Sequence, residues 1–383
     1  MAMTFLSRRP DSGLGNIGSS PGDPSRNVDW VLLVTQGLLT VIGCFVVYSA
    51  SWTTIPGDPY SFVTRQVVFA IAGGVVMVTI MSIDYEWFKE RAAFLYGTTI
   101  MLLVLLLLMG VAQNLDRITF DLGPINFQPA EMAKFTTLIA LSVFLAEGRS
   151  DEVSYPRFLV GLILVGAPAA LIIAQPDLGS ASVIVTIAMG VLLVAGAKPR
   201  YIGAITMLAV STVAATFVSG FVNNYQKERL RVFVGQEANE DSVYQVRNAI
   251  RAVGTGGVWG VGWLDGPLTN GRYVPVMWAD FPFAAVGEQF GLVGCSLLLG
   301  LFVVALMRIW RIATLSRDLL GTYLCAGVFT MLLWQVFQNV GMTLGIMPVT
   351  GLPLPFISYG GSSLLTYFAM FGLVQSVHMR RMR

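Results

Sequence analysis

Apolar runs close to 20 residues long recur along this chain, and nothing else constrains its fold as strongly. About 20 apolar residues in a helix cross the ~30 Å hydrocarbon core of a bilayer. Ten such stretches are read from hydropathy, at about 29–50, 66–83, 93–113, 131–146, 158–175, 179–197, 201–222, 281–307, 319–345 and 359–377. Composition agrees: 55% of the 383 residues are hydrophobic and 12% are charged, against about a quarter charged in an average soluble domain. The expected fold is an all-α polytopic membrane protein of about ten transmembrane helices. A large extracytoplasmic loop, at about 223–280, separates the seventh from the eighth. Residues 28–383 form the membrane domain. Residues 1–27, rich in Ser, Gly, Pro and Arg with no apolar run, read as a flexible cytoplasmic tail and not as a signal peptide.

Charge orients the bundle. Arg8, Arg9 and Arg26 precede the first span, and alternate loops carry Lys89 and Arg91, Arg149 and Arg157, Lys198 and Arg200, then Arg308, Arg311 and Arg317. Arg380, Arg381 and Arg383 follow the last span, whereas the intervening short loops hold only Arg65 and Arg117. The positive-inside bias puts both termini in the cytoplasm. The long loop carries Lys227, Arg229, Arg231, Arg247, Arg251 and Arg272 against that bias, but long loops translocate largely regardless of charge. Those cations fit either an anionic partner on the outer face or a solvated loop balanced by Glu228, Glu237, Glu240 and Asp241. A net charge of +2 gives no reason to expect nucleic acid.

Several chemistries are excluded by what the chain lacks. Cys44, Cys295 and Cys325 all fall inside apolar runs, as helix-packing residues do, and form neither a disulfide framework nor a metal motif. The single histidine, His378, lies in the C-terminal tail, so no Ser–His pair can form at the outer side. Acid–base work falls to carboxylates, Lys or Tyr.

The strongest candidate is Asp280, in Tyr273-Val-Pro-Val-Met-Trp-Ala-Asp280-Phe-Pro-Phe-Ala-Ala-Val-Gly-Glu288-Gln-Phe-Gly291, where the chain re-enters the membrane. An ionisable group at membrane depth is costly and is a functional candidate by default. Phe127-Gln-Pro-Ala-Glu131-Met-Ala-Lys134 opens the fourth span. Glu131 alone reads as a helix-start device. Lys134, on the same face within an apolar run, argues for a Glu131–Lys134 pair facing a polar cavity. Asp177, in Gln175-Pro-Asp-Leu-Gly179, reads as the cap of the next helix. Tyr225-Gln226-Lys-Glu-Arg229 opens the long loop. In Tyr244–Trp263, a short amphipathic helix is expected before a close-packed glycine turn, with no P-loop context around the glycines. Before the last span, Gly351-Leu-Pro-Leu-Pro-Phe-Ile-Ser358-Tyr-Gly-Gly-Ser362-Ser363 offers serines and backbone N–H groups at a helix start, a ready anion site.

These segments, in this order, resemble the SEDS family, the RodA, FtsW and SpoVE proteins of bacterial wall synthesis. The similarity spans nearly the whole chain after the tail. Met347-Pro-Val-Thr-Gly-Leu-Pro-Leu-Pro-Phe and the Gln175–Gly179 turn look most like the RodA branch. Departures are Trp278-Ala279 before the aspartate, Phe281-Pro-Phe283 after it, Ala130 in the Phe-Gln-Pro motif, and Ile118 after Arg117. The resemblance implies a peptidoglycan glycosyltransferase of the bacterial inner membrane that polymerises lipid II for elongation and shape, its active site facing outward. It implies Asp280 as the essential base, with Arg117, Glu131, Lys134 and Gln226 lining the site. Lys134 and Arg117 would stabilise the pyrophosphate leaving group, and Tyr225, Gln226, Arg229, Ser358 and Ser362 would bind substrate. No organic cofactor is expected, and a divalent cation, Mg or Mn, would suit the leaving group although no metal motif is present. Expected partners are lipid II, a class B penicillin-binding protein and other elongation-complex proteins. Gly291, Gly294, Gly300, Gly321 and Gly327 give the eighth and ninth spans faces open to close helix approach. A lipid II flippase and a non-enzymatic scaffold are the competing readings.

Overall fold

A computed structural model describes residues 27–55, 57–113, 118–121, 126–148, 153–218 and 240–382. The N-terminal tail before residue 27 lies outside the described residues, as do Arg117, Tyr225, Gln226 and Arg229. Each expected span corresponds to a helix: α1 Trp30–Ser51, α2 Ser61–Ser82, α3 Glu86–Gln113, α4 Pro129–Ala146, α5 Tyr155–Ala174, α6 Leu178–Val194, α7 Pro199–Val218, α10 Pro282–Thr314, α11 Leu319–Thr343 and α12 Gly361–Met379. The loop before α10 contributes the amphipathic helix α8, Glu240–Thr255, and the single turn α9, Pro267–Asn270. A small antiparallel pair, Phe120–Asp121 with Asn126–Phe127, precedes α4.

Hydropathy placed the helix ends less well than the helices. The second and third helices begin at Ser61 and Glu86, and α10 runs on to Thr314. Hydropathy marks where lipid stops, whereas backbone hydrogen bonding continues through the polar turns beyond it. His378, expected in the tail, belongs to the last turn of α12 and is buried.

α4, α11 and α12 form the centre: Leu138, Ile139, Leu141, Cys325, Val328 and Met370 have no more than 1% of their surface exposed. The outer helices turn bulky apolar side chains outward, among them Phe94, Val111, Ile163 and Leu297, as lipid requires. Away from Asp280, polar contacts close the end of the bundle. Asp29 caps α1 by accepting from Leu32 N and is gripped by Arg308 of α10, while Gln375 of α12 exchanges hydrogen bonds with the Asp29 backbone. Tyr85 donates to Asp318, Arg317 meets Glu86, and Arg380 meets Asp84 and the carbonyls of Met81 and Ser82.

The eighth span, expected as one continuous helix, is broken at Gly291 (φ 63°, ψ −160°). In an unbroken helix Leu292 and Val293 would donate to Glu288 O and Gln289 O. Here Val261 N and Gly262 N take those carbonyls, and Leu292 N and Val293 N donate instead to Gly257 O and Val258 O. All four groups of the break are thereby satisfied inside the membrane domain. The exchange requires backbones in contact: a Cβ on Gly260 would overlap Gln289 O, and one on Gly256 would overlap Gly287 O. Glu288 adds a second stitch. Its fully buried carboxylate accepts from Leu268 N at 2.7 Å, and from Thr269 N at 2.8 Å and Thr269 Oγ1 at 2.5 Å. Gln289 accepts from Leu264 N and donates to Ser49 Oγ of α1. The loop that ends at Asp280 is therefore built onto the helix that follows it.

Candidate active site

Asp280 ends a tight turn in which Ala279 N and Asp280 N both donate to Val276 O, at 3.0 and 3.1 Å. Asn339, fully buried on α11, donates from one Nδ2 to Asp280 O (2.9 Å) and Leu352 O (2.8 Å). Trp278, two residues earlier, accepts from Tyr359 N through its carbonyl and packs its ring against Phe62 of α2. The Asp280 backbone is thus held from α11 and the α12 approach, and its half-buried side chain lines a cavity of about 540 Å³.

The same cavity is lined by Glu131 of α4, Asp177 at the start of α6, Trp334 and Gln338 of α11, and the 347–353 segment. Pro129 starts α4 and places Glu131 in its first turn. Glu131 Oε1 accepts from Lys134 Nζ at 2.6 Å, the expected pair, and the ammonium has no exposed surface. Lys134 therefore reaches the cavity only through Glu131, and a direct contact with a leaving group is not what this geometry offers. Asp177 caps α6 by accepting from Ser180 N at 2.9 Å and also accepts from Gln128 Nε2 at 3.1 Å.

The serines go elsewhere. Ser358 Oγ accepts from Leu354 N at 2.8 Å within the turn before α12. Ser362 Oγ donates to Asn126 O and accepts from Gln128 N, tying α12 to the small strand pair. Neither lines the cavity. Trp334, Gln338, Asn339 and Thr350 were not singled out from sequence, although three polar or amphipathic groups within six residues of one apolar helix were a usable signal. Among the described residues no three acidic, His or Cys side chains converge to hold a metal ion. A larger groove of about 790 Å³ opens between α1 and α2, lined by apolar and aromatic groups such as Phe45, Tyr48 and Trp263. Among the described residues that line it there is no carboxylate.

Fold and site together define a polytopic membrane protein with an acidic cavity at one end of its helical bundle. The chain belongs to the FtsW/RodA/SpoVE family, described as cell cycle protein, whose profile it matches over residues 29–383. It is 32% identical to the peptidoglycan glycosyltransferase MrdB of Escherichia coli K12, over 93% of this chain and 94% of that one. Its identity to the stage V sporulation protein E of Bacillus subtilis is 34%, over 91% and 96%. Among solved structures, the Thermus thermophilus rod shape determining protein RodA matches with a TM-score of 0.68 at 29% identity, covering 92% of this chain and 97% of that one. A chain from a peptidoglycan synthase complex, described as coordinating polymerization and crosslinking, matches with a TM-score of 0.74 at 29% identity, covering 92% and 98%.

Proposed function

We propose that this protein is a peptidoglycan glycosyltransferase that polymerises lipid II into glycan strands for cell elongation and shape. The observation that carries the reading is the Asp280 carboxylate on the wall of a cavity at the end of the bundle, its backbone pinned by Asn339. The shared name of relatives such as MrdB supports it. In this reading Asp280 takes the proton from the acceptor sugar's 4-hydroxyl, and that oxygen attacks the donor's anomeric carbon as the bond to the lipid pyrophosphate breaks, with inversion. The electron pair leaves with the pyrophosphate, whose charge needs preorganised cations. Arg117 has that role, and Tyr225, Gln226 and Arg229 hold substrate from the loop. Lys134 fixes the charge and direction of Glu131. The cavity end faces outward, and the arginine-rich end with both termini is cytoplasmic.

The partner in this reading is a class B penicillin-binding protein, packing its single membrane helix on α10. Four of the five glycines expected at such a face serve internal contacts. Gly291 meets Val258 and Gly260, Gly294 meets Phe290, Gly321 meets Ser316 and Val377, and Gly327 meets Leu138. Gly300 is open, within an exposed stripe of Val293, Leu297, Val304 and Met307 at helical spacing.

Purified protein incubated with labelled lipid II, with and without the partner, tests the function. Glycan lengthening by the protein is expected. A flippase would move lipid across vesicles without lengthening glycan, and a scaffold would do neither alone; either result would replace the proposal.

A further inference from the structure

Three side-chain amides crowd the cavity end of α11, where apolar side chains would fill the space at lower cost, since a buried amide must find partners. Gln335 Nε2 donates to Tyr367 Oη of α12 at 3.1 Å, and Gln338 Nε2 donates to Pro348 O at 3.0 Å. Each of these ties α11 to one segment. Asn339 ties it to two, because its Nδ2 donates both to Asp280 O and to Leu352 O.

That pair of contacts is chemically restrictive. Among uncharged side chains, only Asn and Gln carry two hydrogens on one nitrogen. A carboxylate of the same shape would turn oxygens on the two carbonyls, a hydroxyl could satisfy one of them, and a Leu neither. The carbonyls belong to the two stretches that Asn339 joins. Asp280 ends the turn that carries the carboxylate, and Leu352 lies in the 347–353 segment. Both residues line the cavity and Asn339 does not, so the amide spaces one wall against the other from behind. Nearby ties do not replace it: Tyr359 N holds Trp278 O two residues earlier, and the bonds to Val276 O lie within the turn itself.

We infer that Asn339 is a positioning residue for the reaction: it touches no substrate and acts on turnover by aiming the Asp280 carboxylate from its main chain. The inference rests on the glycosyltransferase reading with Asp280 as base. A displacement on the order of 1 Å at a reacting group costs about 10²-fold in rate, and a two-carbonyl tie is what prevents it here.

Lipid II polymerisation by full-length Asn339→Leu and Asn339→Asp tests this, with Asn339→Gln as the variant that keeps a two-hydrogen nitrogen. Thr343→Val is the control, since Thr343 is equally buried one turn on and its hydroxyl donates back to Asn339 O. In the Leu and Asp variants kcat should fall about 10- to 100-fold while KM stays within about twofold. Asn339→Gln should recover most of kcat, and Thr343→Val should keep both constants. Hydrogen exchange at the Ala279 and Asp280 amides should quicken in Asn339→Leu alone. A rise in KM at unchanged kcat would assign the amide to the Leu352 segment, and near-normal kcat in folded Asn339→Leu would assign it no part in turnover. Either result overturns the positioning role while Asp280→Ala still tests the base. If the variants do not fold, isotope-labelled asparagine in the wild type reads the same contact by NMR. Both Nδ2 protons should be protected from exchange, and rapid exchange of either overturns the tie. No polymerisation by the wild type under any condition would instead overturn the glycosyltransferase reading.

Discussion

At Asp280 the backbone and the side chain have separate tasks. Asn339 and the Val276 turn hold the main chain, so the carboxylate can be replaced without releasing the loop. Asp280→Asn and Asp280→Ala should both lower polymerisation by a factor of about 10² to 10⁴, the usual contribution of a positioned base. Thermal unfolding should stay near that of the wild type. Near-normal turnover by folded Asp280→Ala would remove the proposed base. Glu131 and Lys134 behave differently because each is buried against the other at 2.6 Å. Removing one partner of a buried pair costs about 3–5 kcal/mol, because the survivor is left uncompensated. Glu131→Ala and Lys134→Ala should each lower the melting temperature, and the double mutant should lose much less than the sum. Strict additivity in that cycle would show that the two side chains are not coupled.

The element that most depends on its neighbours is α10, because its break at Gly291 is repaired by hydrogen bonds from another segment. Gly260 sits at φ +83° with Gln289 O in the place a Cβ would take. Gly260→Ala therefore combines left-handed strain with backbone overlap and should cost about 1–3 kcal/mol. The loss should appear as faster hydrogen exchange at Val261, Gly262, Leu292 and Val293, while the α3–α4 amides keep their protection. Gly254→Ala is the matched control, since nothing lies within 4 Å of its Cβ position. Equal exchange in the two variants would mean the loop does not support the break. Glu288 does related work from α10: a buried carboxylate serves as the cap of α9, a turn too short to hold itself.

On the scale of the molecule, the arginine-rich end acts as a clamp that joins the first helix to α10 and α12. Burial alone would raise the Asp29 carboxyl, but the hydrogen bond from Arg308, with further help from Leu32 N–H and the nearby positive charge, holds it below its ordinary value of 3.8. A depressed carboxylate contributes stability above its unfolded pKa and loses it as pH falls through the folded value. The contribution of the Asp29 carboxylate itself should therefore be constant through neutral pH and weaken under acid, below about pH 4. Asp29→Asn should lower the melting temperature at pH 7 and erase that acid-specific loss; a variant that melts with the wild-type acid profile would show the clamp is not the origin. At the lipid face, cysteines placed along Val293, Leu297, Gly300, Val304 and Met307 should crosslink to the membrane helix of the penicillin-binding protein. Crosslinks confined to α1–α3 would exclude this docking surface.

Properties that depend on local pattern were legible in the sequence. Run length located the helices, because a bilayer rewards about 20 apolar residues wherever they occur. The Glu131–Lys134 pair and the Asp177 cap were legible because partners three residues apart share one turn. Asp280 stood out because a carboxylate at a membrane boundary is expensive. Ser358 and Ser362 misled in the same terms: a helix start rich in hydroxyls resembles an anion site until Leu354, Asn126 and Gln128 are seen to occupy them. Only the tertiary structure decided that α10 breaks at Gly291, that Asn339 holds Asp280 from 59 residues away, and that Lys134 is shielded behind Glu131. Periodicity along a chain records which side of a helix meets lipid, whereas hydrogen-bond partners remote in sequence are set by how the helices pack.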